Sequence, residues 1–184
     1  MSSGEPAGVS EEAIAVSTVV YLPAEEVYEF LLDFPGYARY SEHLEQVRQF
    51  GDGSPGTRYE LRFAWWKLTY TTRSEVTAVE EPERIDFRIL KDIDATGHWA
   101  VEPIDLPPDA PPDAEVASRV HFRVDYDPTS VSAGSIDLPR FVSLDWVIDR
   151  VKPIVVREAE RIVERVVADL EGSRREVHLD VDRE

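Results

Sequence analysis

The residue types in this sequence limit the chemistry it can perform. Its four histidines are His43, His98, His121 and His178, and no two of them are spaced as ligands on one helix turn. Zinc sites draw on clustered Cys, His or carboxylate ligands, and the chain has no cysteine. The HExxH, GxSxG and glycine-rich phosphate-loop motifs are also missing. The sequence therefore predicts no metal site, no cofactor and no identifiable catalytic residue.

Carboxylates on predicted strands are the remaining candidates for proton transfer. Burial in an aromatic cavity would raise the pKa of a carboxyl group towards neutrality. Strand alternation, however, puts Glu60 and Asp86 on the wet face, while Arg73 and Glu75 share a face and are expected to pair. We interpret these groups as a solvated outer surface, although an enzyme that only shapes its substrate would need no motif.

Aromatic side chains give the strongest functional signal. Alternation over residues 58–65 and in later segments places aromatic rings on one face of the predicted sheet. Each ring alone is explained by ordinary core packing, but the set exceeds what one narrow aliphatic helix can cover. We therefore expect an apolar cavity with a few tyrosine hydroxyls in its wall. The candidate ligand-binding residues are Phe34, Tyr37, Tyr40, Tyr59, Leu61, Phe63, Tyr70, Phe87, Trp99, Val101, Val120, Phe122, Leu144, Ile148 and Val151.

Two adjacent tryptophans mark a separate feature. Neighbouring residues on a strand point to opposite faces, so Trp65 and Trp66 cannot both enter the same core. One of them is expected to be exposed at a hairpin tip, as a contact for a membrane surface or a partner. The alternative is an edge covered by the neighbouring loop.

The elements that would position these residues follow from periodicity. A strand over 13–21 precedes a helix opened by Pro23 and a second short helix over 37–43. About six antiparallel strands follow, interrupted by a loop over 103–115 that contains five prolines. From about residue 138 apolar residues recur at helical spacing, which predicts one long C-terminal helix. The helical stripe is Leu144, Ile148, Val151, Val155, Ile162, Val166 and Leu170, and a kink is expected at Pro153.

The length of 184 residues suits one domain. We expect a disordered segment over 1–11, the folded domain over 12–172 and a charged tail over 173–184. No apolar run approaches the roughly 18 residues of a membrane-spanning helix, and the N-terminus lacks the features of a signal peptide. These observations predict a soluble, cytoplasmic protein.

The net charge of the chain limits the classes of partner that it can bind. The chain has 37 acidic and 20 basic residues, a net charge of −17, and only three lysines. Such a chain repels phosphate backbones, which argues against nucleic acid as a partner. One interpretation is adaptation to molar salt, where the Debye length falls to about 3 Å and screens acidic self-repulsion. The other is an ordinary acidic protein.

Several motifs together resemble a known family. They are LPAEEVYEFL at 22–31, FPGY at 34–37, VTAVEEPERI at 76–85, the Gly97-x-Trp99 pair and RVHF at 119–122. The sequence resembles the START-like helix-grip superfamily (SRPBCC), within it the polyketide cyclase/dehydrase and coenzyme Q-binding group. The resemblance implies an α+β helix-grip fold, with a curved antiparallel sheet of six to seven strands wrapped around a long C-terminal helix. The proline-rich insert, the acidic surface and the tail depart from the family pattern.

The same resemblance implies a function. Its first implication is binding and transport or chaperoning of a hydrophobic small molecule, such as an isoprenoid quinone or another lipid, between sheet and helix. The alternatives are a cyclase/dehydrase enzyme acting in the same space and a regulatory module that grips a partner protein. A transient membrane contact and a homodimer stay open.

Overall fold

The computed structural model describes residues 12–65, 68–130, 157, 160–173, 175–177 and 179–183. Within them one antiparallel sheet has eight strands, in the order β2-β3-β4-β5-β6-β7-β1-β8. The strands are β1 (Glu12–Val20), β2 (Leu44–Phe50), β3 (Arg58–Trp65), β4 (Leu68–Glu80), β5 (Arg84–Ile89), β6 (Asp94–Ile104), β7 (Ala117–Asp127) and β8 (Asp180–Arg183). The helices are α1 (Ala24–Leu32), two 3-10 helices (Phe34–Arg39 and Pro128–Ser130) and α2, the helical residues 160–171. The expectations for residues 1–11 and for the start and kink of the C-terminal helix lie outside the described residues.

Helix α1 begins where the sequence predicts. Pro23 occupies its N-cap, and Glu25 and Glu26 in the first turn complement the helix dipole. The second helix was wrongly predicted over 37–43, because it is a 3-10 helix that starts at Phe34. Its start is set by Asp33, whose carboxylate accepts the Gly36 N–H at 3.3 Å.

The C-terminal segment is more than a charged tail. Gly172 has a φ of +74°, a conformation that favours glycine, and α2 ends there. Val177 then enters the core with 6% of its surface exposed. Beyond it, β8 pairs with β1 from Ser17 opposite Asp180 to Ile14 opposite Arg183. The sheet therefore has one strand more than the upper number predicted.

The proline-rich loop is shorter than predicted. Strand β6 continues through Pro103 to Ile104, which lies opposite Ala117 at the start of β7. The loop therefore begins two residues later than the alternation suggested. Its shape comes from two turns, in which the Ala110 N–H donates to the Pro107 carbonyl and the Ala114 N–H to the Pro111 carbonyl, both at 3.0 Å.

The core lies on the sheet face that we call the inner face, which α1 and α2 cover. Val27 of α1 and Val167 of α2 are 2% and 1% exposed and pack in one cluster with Ile85 of β5. Half-buried Val163 packs against the same cluster. The predicted α2 stripe of Ile162, Val166 and Leu170 is also half-buried. The residues of α2 that contact the core cluster are thus Val163 and Val167, one position after the predicted Ile162 and Val166.

The opposite, outer face carries ion pairs between neighbouring strands. Glu60 lies 3.2 Å from Arg73, and Glu75 lies 2.9 Å from Arg58 and 2.7 Å from Arg88. Hydrogen bonds from Arg58 and then Arg88 lower the pKa of Glu75. The expected Arg73–Glu75 pair is wrong, since both residues pair with neighbouring strands instead, Arg73 with Glu60 and Glu75 with Arg58 and Arg88. Glu60 lies on the outer face, as the alternation predicted.

Among the described residues, no helix is both long and apolar enough to cross a lipid bilayer.

Candidate functional site

Three predicted aromatic residues meet on the inner face. Trp99 of β6 lies opposite Phe122 of β7, with ring centroids 4.4 Å apart. Phe87 of β5 stacks on the same Phe122 ring at 5.9 Å and an interplanar angle of 14°. All three side chains are half-buried. We call Phe87, Trp99 and Phe122 the aromatic cluster; period-two alternation was sufficient to predict that they converge.

The aromatic cluster depends on Gly97. This residue lies opposite Phe87, and a Cβ atom at position 97 would be 2.6 Å from the Phe87 Cζ. The same Cβ would be 2.5 Å from the Arg123 carbonyl oxygen, which belongs to the backbone and cannot move aside easily. The Phe87 ring therefore occupies space that is open only because Gly97 has no side chain.

A second set of rings connects α1 and the 3-10 helix to the sheet. Consecutive centroids are 5.8 Å apart between Tyr40 and Phe30, 5.4 Å between Phe30 and Tyr37, and 5.0 Å between Tyr37 and Phe34. Phe34 then lies 4.6 Å from Tyr59 on β3. We call these five residues the aromatic row. Phe30 was not among the predicted site residues, although it lies between two candidate tyrosines.

Other predicted site residues are core. Tyr59 and Val101 are each 2% exposed and Val120 is 8% exposed, and all three pack in the cluster under α1. Leu61 packs against the same cluster while half-buried. Val101 and Val120 lie on the strands that α1 contacts, and the Tyr59 ring packs on Phe34 of the 3-10 helix. The sequence did not show where these helices lie on the sheet.

The remaining candidates lie at the β3–β4 hairpin or outside the described residues. Phe63 and Tyr70 are cross-strand neighbours on β3 and β4, both half-buried, and the Lys91 Nζ is 6.0 Å from the Tyr70 ring. Trp65 ends β3 opposite Leu68 at this hairpin. The predictions for Trp66, Leu144, Ile148 and Val151 lie outside the described residues.

Two buried tyrosine hydroxyls stand out chemically. Among the described residues, neither the Tyr28 nor the Tyr59 hydroxyl has a hydrogen-bond partner, although both side chains are nearly inaccessible. Burial raises the pKa of both groups, helped by the carboxylate of Glu81 at Tyr28 and that of Asp33 at Tyr59. Both hydroxyls are therefore neutral donors near pH 7.

Replacing Tyr59 with phenylalanine tests what its hydroxyl does. An unsatisfied buried hydroxyl costs about 1–3 kcal/mol, so Tyr59→Phe is expected to unfold at an equal or higher urea concentration than the parent. Tyr37→Phe is the matched control, because the Tyr37 hydroxyl donates to the Leu31 carbonyl at 2.8 Å and its loss should destabilise. A destabilised Tyr59→Phe would show that this hydroxyl has a bound partner.

A cavity of about 600 Å³ opens between the 3-10 helix and α2. In its wall the Tyr40 hydroxyl donates to Asp169 Oδ2 at 2.9 Å, and the Arg165 guanidinium donates to the Tyr40 carbonyl at 2.7 Å. Burial, followed by the bond to Asp169, raises the pKa of Tyr40. We call this cavity the arginine cleft; its lining residues are Arg39, Tyr40, Arg161, Glu164, Arg165, Ala168, Asp169 and Arg175.

A second, smaller cavity of about 420 Å³ lies at the β5–β6 turn and includes Leu90 and Asp94. The aromatic cluster lines neither cavity. Among the described residues, no group of three His, Asp or Glu side chains is placed to hold a metal ion.

The comparison that decides the family covers most of the chain. Residues 12–167 match the family described as polyketide cyclase / dehydrase and lipid transport. The chain belongs to this family. The match confirms the resemblance inferred from the motifs, which lie within the same residues.

Solved structures place this family member among helix-grip folds. The Zhui aromatase/cyclase from Streptomyces sp. R1128 is similar with a TM-score of 0.58 and 18% identity, over 88% of this chain and 94% of that one. Ara h 8.0201 is similar with a TM-score of 0.56 and 14% identity, over 89% of this chain and all 100% of the other. No curated protein sequence matches the chain significantly. The polyketide cyclase/dehydrase family member thus has the helix-grip fold that the sequence predicted, which is a fold for binding hydrophobic ligands.

Proposed function

We propose that this polyketide cyclase/dehydrase family member binds and carries a hydrophobic small molecule, an isoprenoid quinone or a similar lipid, against the inner face of its sheet. The aromatic cluster is the observation that supports the proposal. Phe87, Trp99 and Phe122 are only half-buried, although they lie on the face that elsewhere forms the core. Apolar surface that a fold leaves accessible on a concave or covered face is typical of small-molecule sites.

The geometry of the cluster suits a flat ligand. The Phe87 and Phe122 rings are nearly parallel, and Trp99 is tilted 45° to Phe122, so the three rings form a corner rather than a stack. A quinone ring or an isoprenoid chain gains dispersion contacts with such a surface without needing a hydrogen bond. Binding of this kind requires no catalytic residue, which agrees with the motif-poor sequence.

Substitution of Trp99 tests the site. Trp99→Ala is expected to weaken the binding of decylubiquinone about tenfold in titration calorimetry, since it removes a large ring from the proposed contact. Phe50→Ala is the matched control, because Phe50 is an aromatic residue on β2 with 58% of its surface exposed. Urea unfolding of both variants separates a binding defect from loss of the fold. Unchanged affinity in folded Trp99→Ala would contradict this site.

A direct assay for cargo tests the function. Organic extraction of the purified protein, followed by mass spectrometry, should yield a quinone or isoprenoid lipid in about stoichiometric amount. An empty extract from folded protein that also fails to bind decylubiquinone would count against the carrier and favour the cyclase/dehydrase or the partner-binding module.

A further inference from the structure

We propose that Asp52–Gly53 is the site at which this chain is most susceptible to spontaneous isomerisation of aspartate, and that the folded β2–β3 loop, residues 51–57, suppresses that reaction. This inference is independent of the proposed function. It begins from composition: the chain has no asparagine, no cysteine and one methionine, which are residue types prone to chemical degradation. Of its sixteen aspartates, only Asp52 precedes a glycine. The sequence thus keeps a single dipeptide of the most reactive kind.

The reaction is an attack by the backbone nitrogen of Gly53 on the side-chain carboxyl carbon of Asp52. The N–Cγ bond forms, the C–OH bond of the protonated carboxyl breaks, and the N–H proton leaves with that hydroxyl as water. Water then opens the resulting succinimide ring at either carbonyl, which restores aspartate or gives isoaspartate. Glycine at the second position favours the attack, because it has no Cβ atom to hinder the approach.

The attacking nitrogen has a hydrogen-bond partner in the folded loop. The Gly53 N–H donates to Thr57 Oγ1 at 3.0 Å, and the Thr57 side chain is buried, with 2% of the residue exposed. Thr57 is itself fixed, because its N–H donates to the Ser54 carbonyl at 3.0 Å and its carbonyl accepts the Val76 N–H at 2.9 Å. Attack by the Gly53 nitrogen therefore requires a local opening of the loop.

The carboxyl group that would be attacked is also held. Asp52 Oδ1 accepts the Ser54 N–H at 3.0 Å and the Ser54 hydroxyl as well. These bonds lower the pKa of Asp52 and so reduce the fraction of the protonated acid. The ionised carboxylate lacks the hydroxyl that has to leave as water. The two reacting groups are thus bound to different residues, the carboxylate to Ser54 and the nitrogen to Thr57.

The loop has no room for the product. Isoaspartate would insert the Cβ atom of residue 52 into the main chain, between the ends of β2 and β3. The loop is closely packed there, since a Cβ atom on Gly51 would lie 2.5 Å from Thr57 Oγ1. It is also tied to β4, where the Gly56 N–H donates to the Val76 carbonyl at 2.8 Å. Isomerisation would therefore disturb three strands at once, which gives the protection a structural purpose.

The experiment follows isoaspartate in the full chain at neutral pH, once folded and once unfolded in urea. Trypsin cleaves after Arg48 and Arg58, so Asp52 is the single aspartate of the peptide 49–58. Chromatography separates the aspartate and isoaspartate forms of this peptide. Methylation by an isoaspartate methyltransferase with a labelled methyl donor measures the isoaspartate in every peptide.

Three variants separate the hydrogen bonds of the loop from the fold as a whole. Ser54→Ala removes the hydroxyl bond to the carboxylate, and Thr57→Val removes the acceptor of the Gly53 N–H. Thr129→Val is the matched control, because the Thr129 N–H and hydroxyl donate to Asp127 Oδ1 in the same way, at 2.8 and 2.6 Å. Circular dichroism establishes that each variant is folded.

We expect the peptide 49–58 to form isoaspartate about tenfold more slowly in the folded parent than in urea, since the reaction has to wait for local opening. Folded Ser54→Ala and Thr57→Val should each react about fivefold faster than the folded parent, the factor that one hydrogen bond of ordinary net strength represents. Thr129→Val should keep the parent rate. If Thr57→Val does not fold, Ser54→Ala decides, because Ser54 is exposed.

Equal rates in the folded and unfolded parent would overturn the proposed protection. So would folded Ser54→Ala and Thr57→Val that react at the parent rate. Faster formation of isoaspartate in another peptide of the unfolded chain would overturn the assignment of the site to Asp52–Gly53.

Discussion

Replacing Ile85 with alanine is expected to lower the free energy of unfolding by about 2–5 kcal/mol, because the truncation leaves a cavity in packed core. Ile85 is 0% exposed, and on the sheet it lies between Val79 of β4 and Trp99 of β6. It thus supports Trp99, a member of the aromatic cluster, as well as the packing of α1.

Urea unfolding followed by circular dichroism measures this loss. Ile14→Ala is the control, since it is the same substitution at a position on β1 where the isoleucine has 37% of its surface exposed. Its loss should be clearly smaller than that of Ile85→Ala. Equal losses in the two variants would mean that Ile85 is not in a tightly packed core.

Replacing Glu171 with alanine is expected to destabilise the fold by about 3 kcal/mol, the loss typical when one partner of a buried ion pair is removed. The Glu171 side chain is 7% exposed, and besides Arg175 it accepts the Tyr21 N–H at 2.8 Å. The hydrogen bond to Glu171 raises the pKa of Arg175, so Arg175 stays charged and would lose its partner. The effect is at the lower end for such pairs because Arg175 keeps 22% exposure and its bond to Val19.

The control for this prediction is Glu160→Ala, an exposed position on the same helix. Thermal unfolding should show a large drop in the midpoint for Glu171→Ala and little change for Glu160→Ala. If raising the salt concentration weakened the parent as much as Glu171→Ala does, the pair would be a screened surface contact instead.

Local patterns predicted most of the sheet. Strand β3 is found at 58–65, where the alternation of side chains indicated a strand, and α1 starts after Pro23, because alternation and capping act over a few residues. Strand β8 was missed because four residues carry too little alternation to signal a strand, and its partner β1 is more than 150 positions away. The 3-10 helix was misplaced because the hydrogen bond from Gly36 to Asp33 outweighs the apolar spacing after it.

The candidate site divides in the same way. The alternation of side chains along each strand was enough to predict that Phe87, Trp99 and Phe122 lie on one face of the sheet. Alternation could not show that Val101 and Val120 on the same face are buried core, because the position of α1 decides which part of that face is covered. The arginine cleft was missed since its residues come from three segments that join only in the folded chain.

The C-terminal strand also decides how the sheet ends. Without β8, the backbone N–H and C=O groups of residues 14–17 on β1 would lack a partner on one side. An unpaired strand of that kind is a template for pairing with another chain, and short strands rich in charge are a common protection against it. Here Asp180 and Asp182 occupy that border. A chain cut after Gly172 would lose more than stability, because it would expose a β-branched strand that invites aggregation.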